Sequence, residues 1–544
     1  MARSQAMVDG ETHGTAMDVF AVRDTVIAEY AAYIGSFLRI RDRDIERYVK
    51  EELDGGRLWP DPLVGLNPSF EPGETVDELV ARGMLHEGCR RIFRRDKDAR
   101  GVGEPLRFHR HQQQAIEAAR RGGSYVLTTG TGSGKSLAYF VPIIDHVLRH
   151  GGRHGIKAIV VYPMNALCNS QMEELTKFLK VGFPEGGEPV RFNRYTGQES
   201  QEERAAIAAA PPDILLTNFM MLELLLTRTD ADDRQIVRAA QGLEFLVLDE
   251  LHTYRGRQGA DVAMLVRRVR DRCGAPGMRC IGTSATLAGS GTREDRAVAV
   301  AEVAAKLFGD HVAPENVIGE TLRAAIARPA PTATELRDVL AAPPDYPSDY
   351  AVLSGHPLAA WVEMACGLQP DERGRLERRR PITLAEAATN LARETGADAA
   401  TCRRHLQAVL LAGYKTHHPD TGLPLFAFRL HQFISRGDTV YASIEPPETR
   451  YLAMEGQVFV PGGRDRRLFP LVFCRECGQH YYVVDLRRER AVAPRDLGAL
   501  GVQEDGEVQP GFLLAGDWEL SVENLPEDWL ETRANGDVVV RSAN

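Results

Sequence analysis

The sequence predicts an α/β fold with a parallel sheet at its centre, and three observations predict it. Tyr125-Val126-Leu127 is a short apolar run that stops at a loop holding Gly130, Gly132 and Gly134. Through Lys135 and Ser136 the chain then enters a helical pattern at Leu137, Tyr139, Phe140, Ile143 and Ile144. Further on, Ala158–Tyr162, Ile214–Asn218 and Phe245–Leu248 are rich in Val, Ile and Leu, as strands buried on both faces must be. Each of these runs ends in polar residues, so polar groups gather at one rim of the sheet.

Strand, glycine loop and helix form the arrangement that cradles phosphates. Glycines let backbone N–H groups turn inward, and the helix N-terminus adds partial positive charge. The loop runs Thr129-Gly130-Thr131-Gly132-Ser133-Gly134-Lys135-Ser136. Lys135 would reach the β- and γ-phosphates of a nucleotide such as ATP, and the Ser136 hydroxyl would bind Mg²⁺. The usual pattern opens on Gly where this chain has Thr129, but Gly-Ser-Gly-Lys-Ser is intact. The plainer alternative, a glycine-rich turn before a surface helix, is outweighed by the strand before and the helix after.

Composition bounds the rest. With 544 residues, 43% hydrophobic and 26% charged, the chain has room for three or four domains of ordinary globular type. Its net charge of −10 makes it no general polyanion binder, so any nucleic-acid surface must be a local patch. No run approaches the ~20 apolar residues that cross a bilayer, and no membrane role is expected. Eight cysteines, single apart from Cys474 and Cys477, point to a reducing cytoplasm rather than a disulfide scaffold.

Residues 1–16 are polar and expected to be disordered. Residues 17–95 read as a small helical N-terminal domain, with Val19, Val22, Val26, Tyr30, Tyr33 and Phe37 on one face of its first helix. A polar linker leads to the stretch 105–325, which holds the phosphate loop. Just ahead of the loop, Gln112 can donate to N7 and accept from N6 of adenine, with Phe108 or His109 covering the ring. Phe245–Leu248 is capped by Asp249-Glu250-Leu251-His252. An acidic pair at a strand tip beside a phosphate loop suits Asp249 to hold Mg²⁺ and Glu250 to orient and deprotonate an attacking water. Cys280 to Leu287 is one more strand with a hydroxyl-rich end.

Taken in order, Gln112, Gly132 to Ser136, Pro163-Met-Asn-Ala-Leu167, Thr217-Asn218, Asp249 to His252 and Ser284-Ala-Thr286 resemble the first RecA-like motor domain of superfamily two DExH-box helicases. The resemblance implies ATP-dependent helicase or translocase work. Lys135, Asp249, Glu250 and His252 would act in catalysis, with His252 coupled to Ser284 and Thr286. Asn165, Thr196, Gly197, Thr217 and Asn218 would grip a nucleic acid, which the resemblance implies to be DNA. His252-Thr-Tyr-Arg-Gly256 also resembles large bacterial helicases of the MrfA/YprA repair type and the Druantia and DISARM defence type, where Arg255 would meet a phosphate.

After Leu287 no Gln-x-x-Gly-Arg-x-Gly-Arg motif follows, so a second RecA-like domain is expected from a downstream segment or a partner protein, and the chain reads as the front part of a longer protein or split subunit. Arg378 to Arg380 reads as a solvated linker. Residues 335–460 read as a helical, winged-helix-like insert, and 461–544 as a β-rich region holding the Cys474-x-x-Cys477 turn. With His480 and a fourth ligand that turn would bind Zn²⁺; two reduced cysteines in a turn are the alternative. The leading reading is the nucleotide-binding half of a helicase motor. An ATP-switched nucleic-acid-binding subunit with little turnover and a P-loop phosphotransferase are the rivals.

Overall fold

The structure is a computed structural model that describes residues 17–130, 132–151, 155–285, 291–419, 421–435, 437, 439–487, 492–497, 508–515 and 529–540. The chain forms two compact units, one from residues 68–325 with 368–378, the other from residues up to 67 with 326–367 and 379 onward.

The first unit holds the parallel sheet. Its strands are β1 (Tyr125–Thr128), β2 (Ala158–Tyr162), β3 (Phe192–Arg194), β4 (Ile214–Asn218), β5 (Phe245–Leu248), β6 (Arg279–Ser284) and β7 (Val317–Gly319). They lie in the order β7-β1-β6-β5-β2-β4-β3, every pair parallel. Alternation splits each strand between two cores. Tyr125, Leu127, Val160, Leu216 and Val247 pack on one face, and Val126, Ile159, Leu215, Leu246 and Leu248 on the other. Two helices frame the loop: α1 (Arg110–Arg121) precedes β1, and α2 (Lys135–His150) begins where the loop ends. Gly134 caps α2 in the left-handed region at φ 68°, which a side chain would resist. This is the α/β, RecA-like arrangement the sequence predicts.

Residues 17–95 are not one domain. Val76, Leu79, Val80, Leu85, Cys89, Ile92 and Phe93 join the core of the parallel sheet with Ile116 and Tyr139. The boundary falls instead between Asn67 and Pro68. In the second unit, Leu63–Asn67 is the middle strand of an antiparallel sheet between Ile382–Thr383 and Ala427–His431. Ile45 and Val49 of the helix Arg43–Asp54 pack into a core with Phe469, Leu471, Tyr482 and Val484. The helices Leu384–Thr395 and Ala399–Lys415 form as their periodicity predicts. Among the described residues, every strand pairing of this unit is antiparallel.

Arg378 to Arg380 is no solvated linker. Arg378 ends a hairpin of β8 (Leu368–Pro370) and β9 (Leu376–Arg378) that belongs to the parallel-sheet unit, while Arg379 donates to the Met364 carbonyl. At the other motif of the C-terminal region, the Cys474 N–H meets Gln479 O at 2.9 Å, closing the turn. Backbone N–H groups of Cys477 and Glu476 pull the Cys474 thiol below its ordinary value. His480 Nδ1 lies 4.0 Å from Asp42. No group of three or more His, Cys, Asp or Glu suited to a metal occurs among the described residues, so the turn alone supplies two of zinc's four ligands. No helix among the described residues is long and apolar enough to cross a membrane.

Burial holds His111, His146, His356, His405 and His480 below the ordinary imidazole value and lowers His109 to about 4. Unfolding frees these rings to take up protons near pH 6.5, so their contribution is present above that pH and is lost as pH falls towards the folded values. Urea midpoints should therefore drop between pH 7.5 and pH 5 as the unfolding free energy falls by on the order of 1 kcal/mol or more. Equal midpoints would show that the rings are protonated in the folded chain.

Candidate active site

Thr129 stands at the first loop position because its hydroxyl has a partner there: Thr129 Oγ1 and Ser133 Oγ are 2.7 Å apart, both fully buried. This bond across the loop explains the departure from Gly. From α1, the His111 ring meets the Ser133 carbonyl at 2.9 Å. Gln112 donates from Nε2 to the Gly134 carbonyl at 2.9 Å and accepts the His109 N–H at 2.8 Å. Gln112 is 2% exposed, and this structure engages its amide with the loop and the helix start. Phe108 is buried against Phe93 in the core and does not cover a base; His109 instead packs against Phe70 and His111. Thr131 and Thr286 lie outside the described residues.

One strand removed from the loop strand, β5 delivers the acidic pair. Lys135 Nζ stands 3.5 Å from Glu250 Oε1, with side chains 11% and 22% exposed. Glu250 adopts φ 53°, one of two non-glycine residues among the described set in the left-handed region, the other being Asp96. Such strain costs on the order of 1–3 kcal/mol and persists where surroundings enforce it. Thr283 is one enforcer: its hydroxyl accepts the Glu250 N–H at 3.2 Å and donates to Asp249. Sequence reasoning passed over Thr283, although it sits in the hydroxyl-rich strand end that was read for Ser284. Burial pushes the Asp249 carboxyl above its ordinary value, with Thr283 and Lys135 pulling the other way. A divalent cation beside this carboxylate would offset that cost, so the Asp249 carboxylate suits a Mg²⁺ ligand. His252 Nδ1 lies 3.2 Å from Glu250 Oε2 and 3.3 Å from Ser284 Oγ, so one ring joins the acidic tip to β6.

A second cluster lies at the ends of β2, β3 and β4. Asn218 donates to Asn165 Oδ1 at 2.7 Å and to the Thr196 carbonyl at 3.1 Å. Glu199 accepts the N–H groups of Thr196 and Gly197 at 2.7 and 2.9 Å. These four expected nucleic-acid residues stand together. Thr217 does not join them: fully buried, it donates to the Tyr195 carbonyl at 2.6 Å and ties two strand ends. Arg255 is exposed ahead of the helix Gly256–Arg272.

A glycine loop between β1 and α2, faced from β5 by a partly buried Asp and a strained Glu, has the layout of a P-loop nucleotide-binding core. Residues 109–294 match the family model described as DEAD/DEAH box helicase. The chain is similar to Druantia protein DruE of Escherichia coli (strain UMEA 4076-1), 26% identical over 42% of this chain and 18% of that protein. It is similar to the uncharacterized ATP-dependent helicase YprA of Bacillus subtilis (strain 168), 31% identical over 35% of this chain and 24% of that one. Among solved structures, the DUF1998 helicase MrfA bound to DNA aligns over 54% of this chain and 39% of its own, with TM-score 0.37 and 21% identity. The aligned parts span less than a quarter of each of the two curated relatives.

The partly buried Asp249 gives a direct test. Asp249→Asn removes a charge that burial disfavours and keeps an acceptor for Thr283. Without nucleotide, melting should stay level or rise by about 2–4 °C for each kcal/mol gained. The stabilisation that Mg²⁺ and ATP give the wild type should be lost. A variant still stabilised as strongly as wild type by both would remove Asp249 from the metal site.

Proposed function

We propose that this chain carries the nucleotide-binding half of an ATP-driven motor that works on nucleic acid. The observation that carries the proposal is one strand-end rim with Lys135, Asp249, Glu250, His252 and Ser284 in a continuous set of contacts. Mg²⁺ bound with the triphosphate would neutralise charge on its oxygens, and Ser136 with Asp249 are the residues that would hold it. Lys135 would exchange its pairing with Glu250 for the β- and γ-phosphates. Glu250, released from that cation, would accept a proton from the attacking water. His252, bonded to Ser284, would carry the change at Glu250 into β6 and the segment after it. Gln112 would select adenine by turning its amide from the Gly134 carbonyl towards the base.

The nucleic acid proposed is DNA, on the resemblance to repair and defence helicases, with Asn165, Thr196, Gly197 and Asn218 facing its backbone and Arg255 beside it. Fast hydrolysis and strand movement would need a second RecA-like domain from further sequence or a partner. That the described strands of the second unit pair antiparallel supports that reading. Zinc at Cys474 and Cys477 would need two further donors.

Lys135→Ala should weaken ATP binding severely, whereas Glu250→Gln should keep ATP and lose phosphate release. Lys135→Ala with unchanged affinity would refute the site. This chain alone should hydrolyse slowly, because an arginine from the second domain is worth ~10³–10⁵ in rate where measured. Single-stranded DNA should raise phosphate release more than RNA of matched length, and duplexes should stay intact. ATP-dependent binding without turnover would favour a switch; strand separation by this chain, abolished by Glu250→Gln, would reveal a complete motor.

A further inference from the structure

The phosphate loop makes a contact with a residue that its motif does not include. The Gly130 N–H donates to Glu320 Oε2 at 3.1 Å, just beyond β7. The same carboxylate takes the guanidinium of Arg378 at both oxygens, Nε to Oε1 at 3.2 Å and Nη2 to Oε2 at 3.1 Å. That guanidinium lies over Gly130: a Cβ there would come within 2.8 Å of Nη2. Glycine at this position therefore leaves room for an arginine to approach the loop backbone.

Arg378 reaches the loop by design of the chain path. The chain leaves this unit after Ala325, builds residues 326–367 into the other unit, and returns as the hairpin of β8 and β9. Ion pairs fasten the hairpin to the helix Arg293–Phe308. Arg373 and Arg375 meet Glu294 at 2.8 and 3.2 Å, and Arg296 meets Glu377. Three such links hold the strand end in place, although each, being partly exposed, contributes little by itself. The Arg378 and Glu320 side chains are 28% and 17% exposed, so both remain reachable from solvent.

We infer that Arg378 is a nucleotide-contacting residue, supplied by the 368–378 hairpin, and that Glu320 occupies the position a phosphate oxygen takes. The inference rests on the reading of the loop as an ATP site. A carboxylate and a phosphate offer the same paired oxygens to a guanidinium fork and the same acceptor to a backbone N–H. Glu320 thus competes with phosphate for Gly130 and Arg378. When phosphate wins, Arg378 adds a second cation beside Lys135. Charge-assisted bonds of this kind change affinity by roughly tenfold or more.

The test is a double-mutant cycle on ATP affinity, read by titrating the full 544-residue chain with a fluorescent ATP analogue in Mg²⁺. Glu320→Ala should bind severalfold more tightly than wild type, a gain that misfolding cannot produce. Arg378→Ala should bind about tenfold more weakly. In the Glu320→Ala background, Arg378→Ala should still weaken binding by a similar factor. If Arg378 served only to hold Glu320, its removal there would cost nothing, and that result overturns the inference. Wild type that binds and both single variants unchanged would also overturn it while leaving the ATP site standing. No binding by wild type would sink the ATP-site reading and this inference together.

Discussion

A loop folded tightly at a strand end must find partners for its backbone groups, and the site follows from how this one does so. Its carbonyls are held from one side: His111 takes Ser133, and Gln112 takes Gly134. Its hydroxyls close on each other through Thr129 and Ser133. With α1 bonded to the carbonyls, the peptide dipoles turn their N–H ends the other way, where an anion is favoured. The Glu320 carboxylate on the Gly130 N–H shows that preference directly. Were the loop carbonyls unheld, the glycines that make the cradle would also let it collapse, since glycine restrains the backbone least.

The parts of this arrangement that were legible in the sequence are local. A strand, its glycines and the following helix lie within 125–150, and the apolar runs and polar tips of β2, β4, β5 and β6 each declare themselves in a few residues. Lys135, Asp249, Glu250, His252 and Ser284 were readable because a motif fixes their spacing to a strand end, and the structure brings them together. Thr217 was misread for the same reason: the motif gives the strand end but not which way its hydroxyl points, and the side chain points inward to Tyr195.

What stayed hidden depends on partners far apart in the chain. Leu63–Asn67 is a strand only because Ala427–His431 lies beside it, and its five residues carry no periodicity that names the mate. Residues 76–93 fall within the stretch that reads as a helical domain. A local helical pattern shows that a face is buried, not that Ile116 and Tyr139 bury it. Arg378 is the sharpest case. Among neighbouring arginines before a proline, nothing distinguishes it, and its meaning comes wholly from Glu320 and Gly130 across the fold.

One electrostatic habit links these sites. The charged groups of the rim are matched with one another: Lys135 with Glu250, Arg378 with Glu320, Arg194 with Glu199. The Arg378–Glu320 pair, 28% and 17% exposed, keeps solvent contact and is worth on the order of 1 kcal/mol, so it is easily exchanged. A triphosphate or a nucleic-acid backbone brings several charges at once and can replace the internal partners without leaving a buried charge alone, the outcome that would cost several kcal/mol. Internal pairing therefore keeps long side chains ordered near where they act, at a strength low enough for substrate to displace. Asp249 is the exception. Its charge is disfavoured by desolvation and its main protein partner is a neutral hydroxyl, and it is the residue whose chemistry calls for a metal ion rather than another side chain.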